Sequence, residues 1–123
     1  WSSYCQSKLA NILFTHELSR RLEGSGVTAN CLHPGFVNTG FSRNNGSLAR
    51  LLMTLSRPFQ RSEIKGAETV VWLAVSEEAE GLNGEYCHNC KISKPTKRAR
   101  NDGDASRLWA LSEEMTGAQG LWR

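Results

Sequence analysis

The sequence predicts an α/β fold, on three observations. A long stretch with helical apolar spacing is followed by a glycine turn, a short β-branched segment and a Pro-Gly loop, which is half of a βαβ unit. Two further helical stretches then bracket a second strand-like segment. Helices outnumber strands, and two strands alone cannot make a stable open sheet with helices on both faces. The missing strands are expected to come from elsewhere, so the chain is expected to be a piece of a larger domain. The first residue is Trp1 instead of an initiator Met, in keeping with that expectation.

The first helix is expected from about Ser3 to Glu23. Leu9, Ile12, Leu13 and Leu22 fall at helical spacing, Cys5 and Ala10 are small enough for close packing, and Gly24 is a natural stop. Arg20 and Arg21 near its end suit the negative pole of the helix dipole. Val27 to Leu32 reads as a buried strand, ended by His33-Pro34-Gly35. Asn38 to Ser47 is a polar loop, and Leu48, Leu51, Leu52 and Leu55 mark a short amphipathic helix stopped by Pro58. A second long helix is expected from Glu63 to Glu78, capped by Ser62, with Ile64, Ala67, Val71, Ala74 and Val75 as its inner stripe. Gly84-Glu85-Tyr86-Cys87 starts a last strand, and Lys91 to Gly103 is a polar connector. Leu108, Leu111 and Met115 mark a final helix, capped by Asp104 and stopped by Gly117. Trp72 and Trp109 are expected in a core or an interface.

Composition narrows the function classes. The 123 residues suit one domain, and the 39% apolar and 22% charged content excludes a disordered or fibrous chain. The net charge of +3 is too weak to argue for nucleic acid. It conceals an acidic stretch from Glu63 to Glu85 and a basic one from Lys91 to Arg100. The basic run lacks interleaved aromatics and reads as solvated surface. The apolar run Val70 to Val75 is far too short to span a bilayer, and no signal-peptide pattern opens the chain. Cys5, Cys31, Cys87 and Cys90 are expected to be free thiols in a reducing setting. Cys87-His88-Asn89-Cys90 is only half of a zinc site, with no second pair, so no metal is expected.

Tyr4 and Lys8 carry the most informative chemistry. Four residues apart on a helix, they share a face. An ammonium beside a phenol favours phenolate and draws its pKa from about 10 toward neutrality, so the Tyr can exchange a proton with a substrate oxygen. The spacing alone equally fits a surface Tyr and Lys with no partnership.

The context decides between them. Tyr4-Cys5-Gln6-Ser7-Lys8-Leu9-Ala10-Asn11 resembles the Tyr-x-x-x-Lys active-site helix of the short-chain dehydrogenases/reductases. The strand and the His33-Pro34-Gly35-Phe36-Val37-Asn38-Thr39 loop follow in that family's order and at its distance. The run Ser7 to Leu22, the Gly-Val-Thr strand, Ala67 to Val75 with its Ser-Glu-Glu tail, and the Leu108-Trp109 helix resemble its retinol dehydrogenase-like branch.

The resemblance implies the C-terminal half of a Rossmann-like doubly wound parallel sheet, with the N-terminal nucleotide-binding half absent. Residues 1–24 would be the active-site helix, 27–39 the strand and Pro-Gly loop, 40–61 a substrate lid, and 62–123 the remaining helices and last strand. Tyr4 would be the catalytic acid/base. Lys8 would lower its pKa and hold the nicotinamide ribose. Pro34, Gly35, Val37 and Thr39 would lie against the nicotinamide. The implied substrate is an apolar, retinal-like aldehyde or ketone and its alcohol. NADP(H) is implied ahead of NAD(H), with the selecting residues outside this chain. A homodimer through the first helix is implied, at Leu9 and Ile12, in an intracellular protein that is cytoplasmic or membrane-associated.

The departures matter too. No G-x-G-x-x-G occurs, and Gly24-Ser25-Gly26 precedes a strand, whereas a phosphate loop follows one. The family's catalytic Ser has no counterpart, since Ser2 and Ser3 are too close to Tyr4. The chain alone is therefore expected neither to hold a dinucleotide well nor to turn over. The competing expectation is a non-catalytic scaffold or interaction module.

Overall fold

A computed structural model of the chain describes residues 2–35 and 62–120. Its elements in chain order are α1 (Ser2–Arg21), β1 (Cys31–His33), α2 (Glu63–Val75), β2 (Tyr86–His88) and α3 (Asp102–Thr116). Short 3₁₀ turns stand at Glu77–Ala79 and Arg98–Arg100. The expected helix around Leu48 to Leu55, the 40–61 lid, Val37 and Thr39 lie outside the described residues.

The core is the packing of α1 on α3. Leu13, Ala99, Ala105 and Trp109 are buried there. The Trp109 indole stacks on Phe14 with ring centroids 4.9 Å apart, and the Arg21 guanidinium lies 4.6 Å from its ring centre. Beside it the buried Glu17 carboxylate accepts from Arg20, from Arg21 Nε at 2.9 Å and from Ser106 Oγ at 3.1 Å. Burial pushes the Glu17 carboxyl up, but these donors outweigh it and hold it below its ordinary value. His16 Nε2 and Asp102 Oδ1, 2.8 Å apart, add a second tie between the helices.

The sheet has two strands, paired in parallel with Cys31 opposite Tyr86, Leu32 opposite Cys87 and His33 opposite His88. β1 is shorter than the expected Val27 to Leu32 strand, and Val27 is exposed. The cause is the partner segment: before Glu85 it turns, and beyond the bond from Gly84 N to Ala29 O side chains replace the ladder. Asn83 Oδ1 accepts from Ala29 N, while Asn30 bonds Leu82 O through Nδ2 and Glu85 N through Oδ1. Asn83 Nδ2 also donates to Ser19 O on α1.

Gly84 makes that junction possible. Its φ is +77°, and a Cβ there would lie 2.7 Å from Ser19 Oγ. Gly84→Ala is therefore expected to cost roughly 1–3 kcal/mol in chemical denaturation, from backbone strain and the clash. Gly81→Ala, where φ is +75° but nothing lies within 4 Å, should cost less.

β2 does not lead into a plain connector. His88 N donates to Lys91 O, Ser93 N donates to Tyr86 O, and Cys87 bridges Ile92 antiparallel. Asn89 and Cys90 both have positive φ (56° and 53°), which is the two-residue hairpin turn that fits strand twist. The expected Lys91 to Gly103 connector thus begins as the return arm of a hairpin.

The two later helices also differ from expectation. Ser62 Oγ caps α2 at Lys65 N as expected, but the helix ends at Val75 and not at Glu78. Ser76 is extended there, and its Oγ accepts from Glu78 N to open the 3₁₀ turn. The expected inner stripe faces outward: Ile64, Ala67, Val71, Ala74 and Val75 are exposed, and Gly66 and Thr69 are buried instead. Thr69 Oγ1 accepts from Cys90 N, so α2 sits on the hairpin by its small and polar face. In α3 the cap is Asn101, whose Oδ1 accepts from Asp104 N, so Asp104 is a first-turn residue and not the cap. Gly117 stops the helix in the left-handed region, and Leu111 and Met115 are exposed.

Candidate active site

α1 runs against the direction of the strands. Ser19 packs at Asn83 and Gly84, just before β2, and Thr15 lies beside the Cys31 thiol at the start of β1. Moving back along α1 therefore means moving toward the strands' carboxyl ends. Lys8 and Tyr4 lie in that direction, about two and three helical turns farther from Ser19 than Thr15. Pro34 and Gly35 leave β1 at the same end, with Gly35 at φ +82°. That is the end at which open α/β sheets bind ligands.

Tyr4 is 44% exposed, and Lys8 is exposed beside it with Nζ 5.2 Å from the phenol ring centre. Ser7 Oγ donates to Tyr4 O and holds this first turn of the helix. The site is thus open, with a phenol and an ammonium on one helical face. His33 and His88, at the last paired positions of the two strands, stack with ring centroids 5.3 Å apart. Spacing could not reveal that pair, because it exists only through the parallel register.

The cysteines contribute no activated nucleophile to the sheet. All four are free, and burial pushes the Cys31 and Cys87 thiols up. Among the described residues no group of three or more His, Cys, Asp or Glu could hold a metal ion. An open apolar depression of about 530 Å³ lies on α2, lined by Ile64, Ala67, Glu68, Val71, Trp72 and Cys90.

The chain is 45% identical over 115 residues to human retinol dehydrogenase 12, a match covering 94% of this chain and 36% of that one. It is 46% identical over 117 residues to mouse retinol dehydrogenase 14, covering 93% and 35%. Over 94% of its own length the chain is thus homologous to members of the short-chain dehydrogenase/reductase family. Chicken WW domain-containing oxidoreductase matches as well, at 45% identity over 117 residues, 95% of this chain and 28% of that one. The chain spans about a third of the length of the curated relatives it matches. No family model matches it.

Short-chain dehydrogenases/reductases use a nicotinamide cofactor, and the described residues fit one end of it. The Lys8 ammonium and Tyr4 hydroxyl are donors suited to ribose and carbonyl oxygens. Among the described residues none fits the pyrophosphate end: β2 turns back into a hairpin instead of opening a glycine-rich helix N-terminus. No described helix is long and apolar enough to cross a membrane.

Proposed function

We propose that this chain is the acid/base and substrate side of a nicotinamide-dependent oxidoreductase that interconverts an apolar, retinal-like aldehyde or ketone and its alcohol. What supports the proposal is the Lys8 ammonium 5.2 Å from the Tyr4 ring centre on a helix that runs against the parallel strands, with Pro34 and Gly35 following β1. When bound, the nicotinamide supplies the hydride. In carbonyl reduction the Tyr4 hydroxyl donates its proton to the substrate oxygen as the carbonyl carbon gains hydride, and in alcohol oxidation the phenolate takes it back. Lys8 stabilises that phenolate and holds the nicotinamide ribose. Pro34, Gly35, Val37 and Thr39 orient the nicotinamide, and residues 40–61 cover the substrate. NADP(H) is the cofactor we favour. The domain is the C-terminal half of a doubly wound sheet, completed by strands and a phosphate loop from a longer chain. It pairs through α1, where Leu9 and Ile12 are half-buried.

A chimera tests this. The chain is joined behind the N-terminal portion of human retinol dehydrogenase 12, and NADPH oxidation with an apolar aldehyde is followed. Saturable reduction is expected, and a folded but inert chimera overturns the proposal.

The exposed apolar stripe of α2 and the unfitted pyrophosphate end favour a second reading, a scaffold without cofactor binding. Tight saturable NADPH binding by the 123-residue chain on its own rules that out.

A further inference from the structure

We infer that His33 and His88 form a two-point binding site for a divalent transition-metal ion such as nickel(II) or zinc(II). The two residues are direct partners in the parallel ladder, on strands that run about 4.8 Å apart. Their imidazoles already lie side by side, with centroids 5.3 Å and planes 27° apart. The terminal torsion of a His ring is broad, so tipping the two rings toward each other brings a nitrogen of each to one point. Imidazole nitrogen suits zinc, nickel and copper, at about 2.0–2.1 Å for zinc.

The surroundings permit entry. His33 is exposed and His88 half-buried, both at the carboxyl end of the sheet. The chain leaves β2 through the tight Asn89-Cys90 turn, whose Cys90 N–H is held by Thr69 Oγ1, so the His88 backbone is anchored. No third side-chain ligand stands by among the described residues, so water fills the remaining positions. Such a site is labile and open, unlike a closed structural zinc site. The ion ties the end of β1 to the end of β2 just before Pro34. Nothing in this inference depends on hydride chemistry.

The test uses the 123-residue chain, kept reduced. Paramagnetic nickel(II) is titrated while imidazole proton resonances are recorded. Selective broadening of His33 and His88 is expected, with His16, which is paired to Asp102, unaffected at the same concentration. Calorimetric titrations with zinc(II) then compare variants. His33→Gln and His88→Gln should each weaken binding on the order of a hundredfold, since the second ligand acts as an intramolecular one. Cys5→Ser and His16→Gln should change nothing. Equal broadening of all three histidines, or binding lost in Cys5→Ser and kept in the two glutamine variants, overturns the inference. The nickel experiment needs no variant, so a misfolded mutant does not leave the question open.

Discussion

Tyr4→Phe lowers kcat for aldehyde reduction in the chimera by about 100-fold to 10,000-fold, the usual contribution of a positioned general acid. The change deletes one oxygen from a side chain that is 44% exposed and sits on the first turns of α1. Stability should therefore move by less than about 0.5 kcal/mol. NADPH binding should persist, because Lys8 remains. Steady-state kinetics beside a thermal melt checks both halves of the expectation. Reduction at the parent rate in Tyr4→Phe would remove Tyr4 from the chemistry, whatever the fold. Loss of rate together with loss of the melting transition would assign Tyr4 a structural part instead.

Trp109→Ala should be the most damaging core change, costing about 3–5 kcal/mol. That is a large share of the roughly 5–15 kcal/mol that holds a domain together. Trp109 is 3% exposed, fills the space between α1 and α3, and supports both the Phe14 stack and the Arg21 guanidinium. Trp109→Phe should cost far less. The indole Nε1 is buried with no hydrogen-bond partner among the described residues, so its loss removes an unsatisfied donor while a ring stays against Phe14. Chemical denaturation of the two variants separates the outcomes, and equal costs would contradict this account of the core.

The sequence carried the order of elements well, because that order follows from local signals. Gly117 ends α3 where glycine should, and Ser62 caps α2, while α1 stops at Arg21, three residues short of Gly24. Tyr4 and Lys8 share a face because helix geometry requires it. The parallel pairing and the buried Trp109 matched expectation, while other features set by distant partners did not. Ile64, Val71 and Val75 form a true apolar stripe, yet helical periodicity says nothing about whether another element covers it. Val27 and Thr28 have strand propensity, but the segment opposite them turns at Gly81 and Gly84, so no ladder reaches them. The hairpin at Asn89-Cys90 lacked the glycine that usually announces such a turn. Glu17 is a buried acid within a stripe of leucines, and that burial is set by α3 and not by local spacing. Arg20 and Arg21, three and four positions on, were the available clue.

The mutual packing of α1 and α3 also bears on how the chain folds. His16 and Asp102 meet across 86 positions, and the β1–β2 register spans some 55. Contacts so remote in sequence are formed against loop-closure entropy, and chains dominated by them fold slowly. A covalent bridge between α1 and α3 would confine the unfolded chain by roughly 4.6 kcal/mol in the simple entropic model.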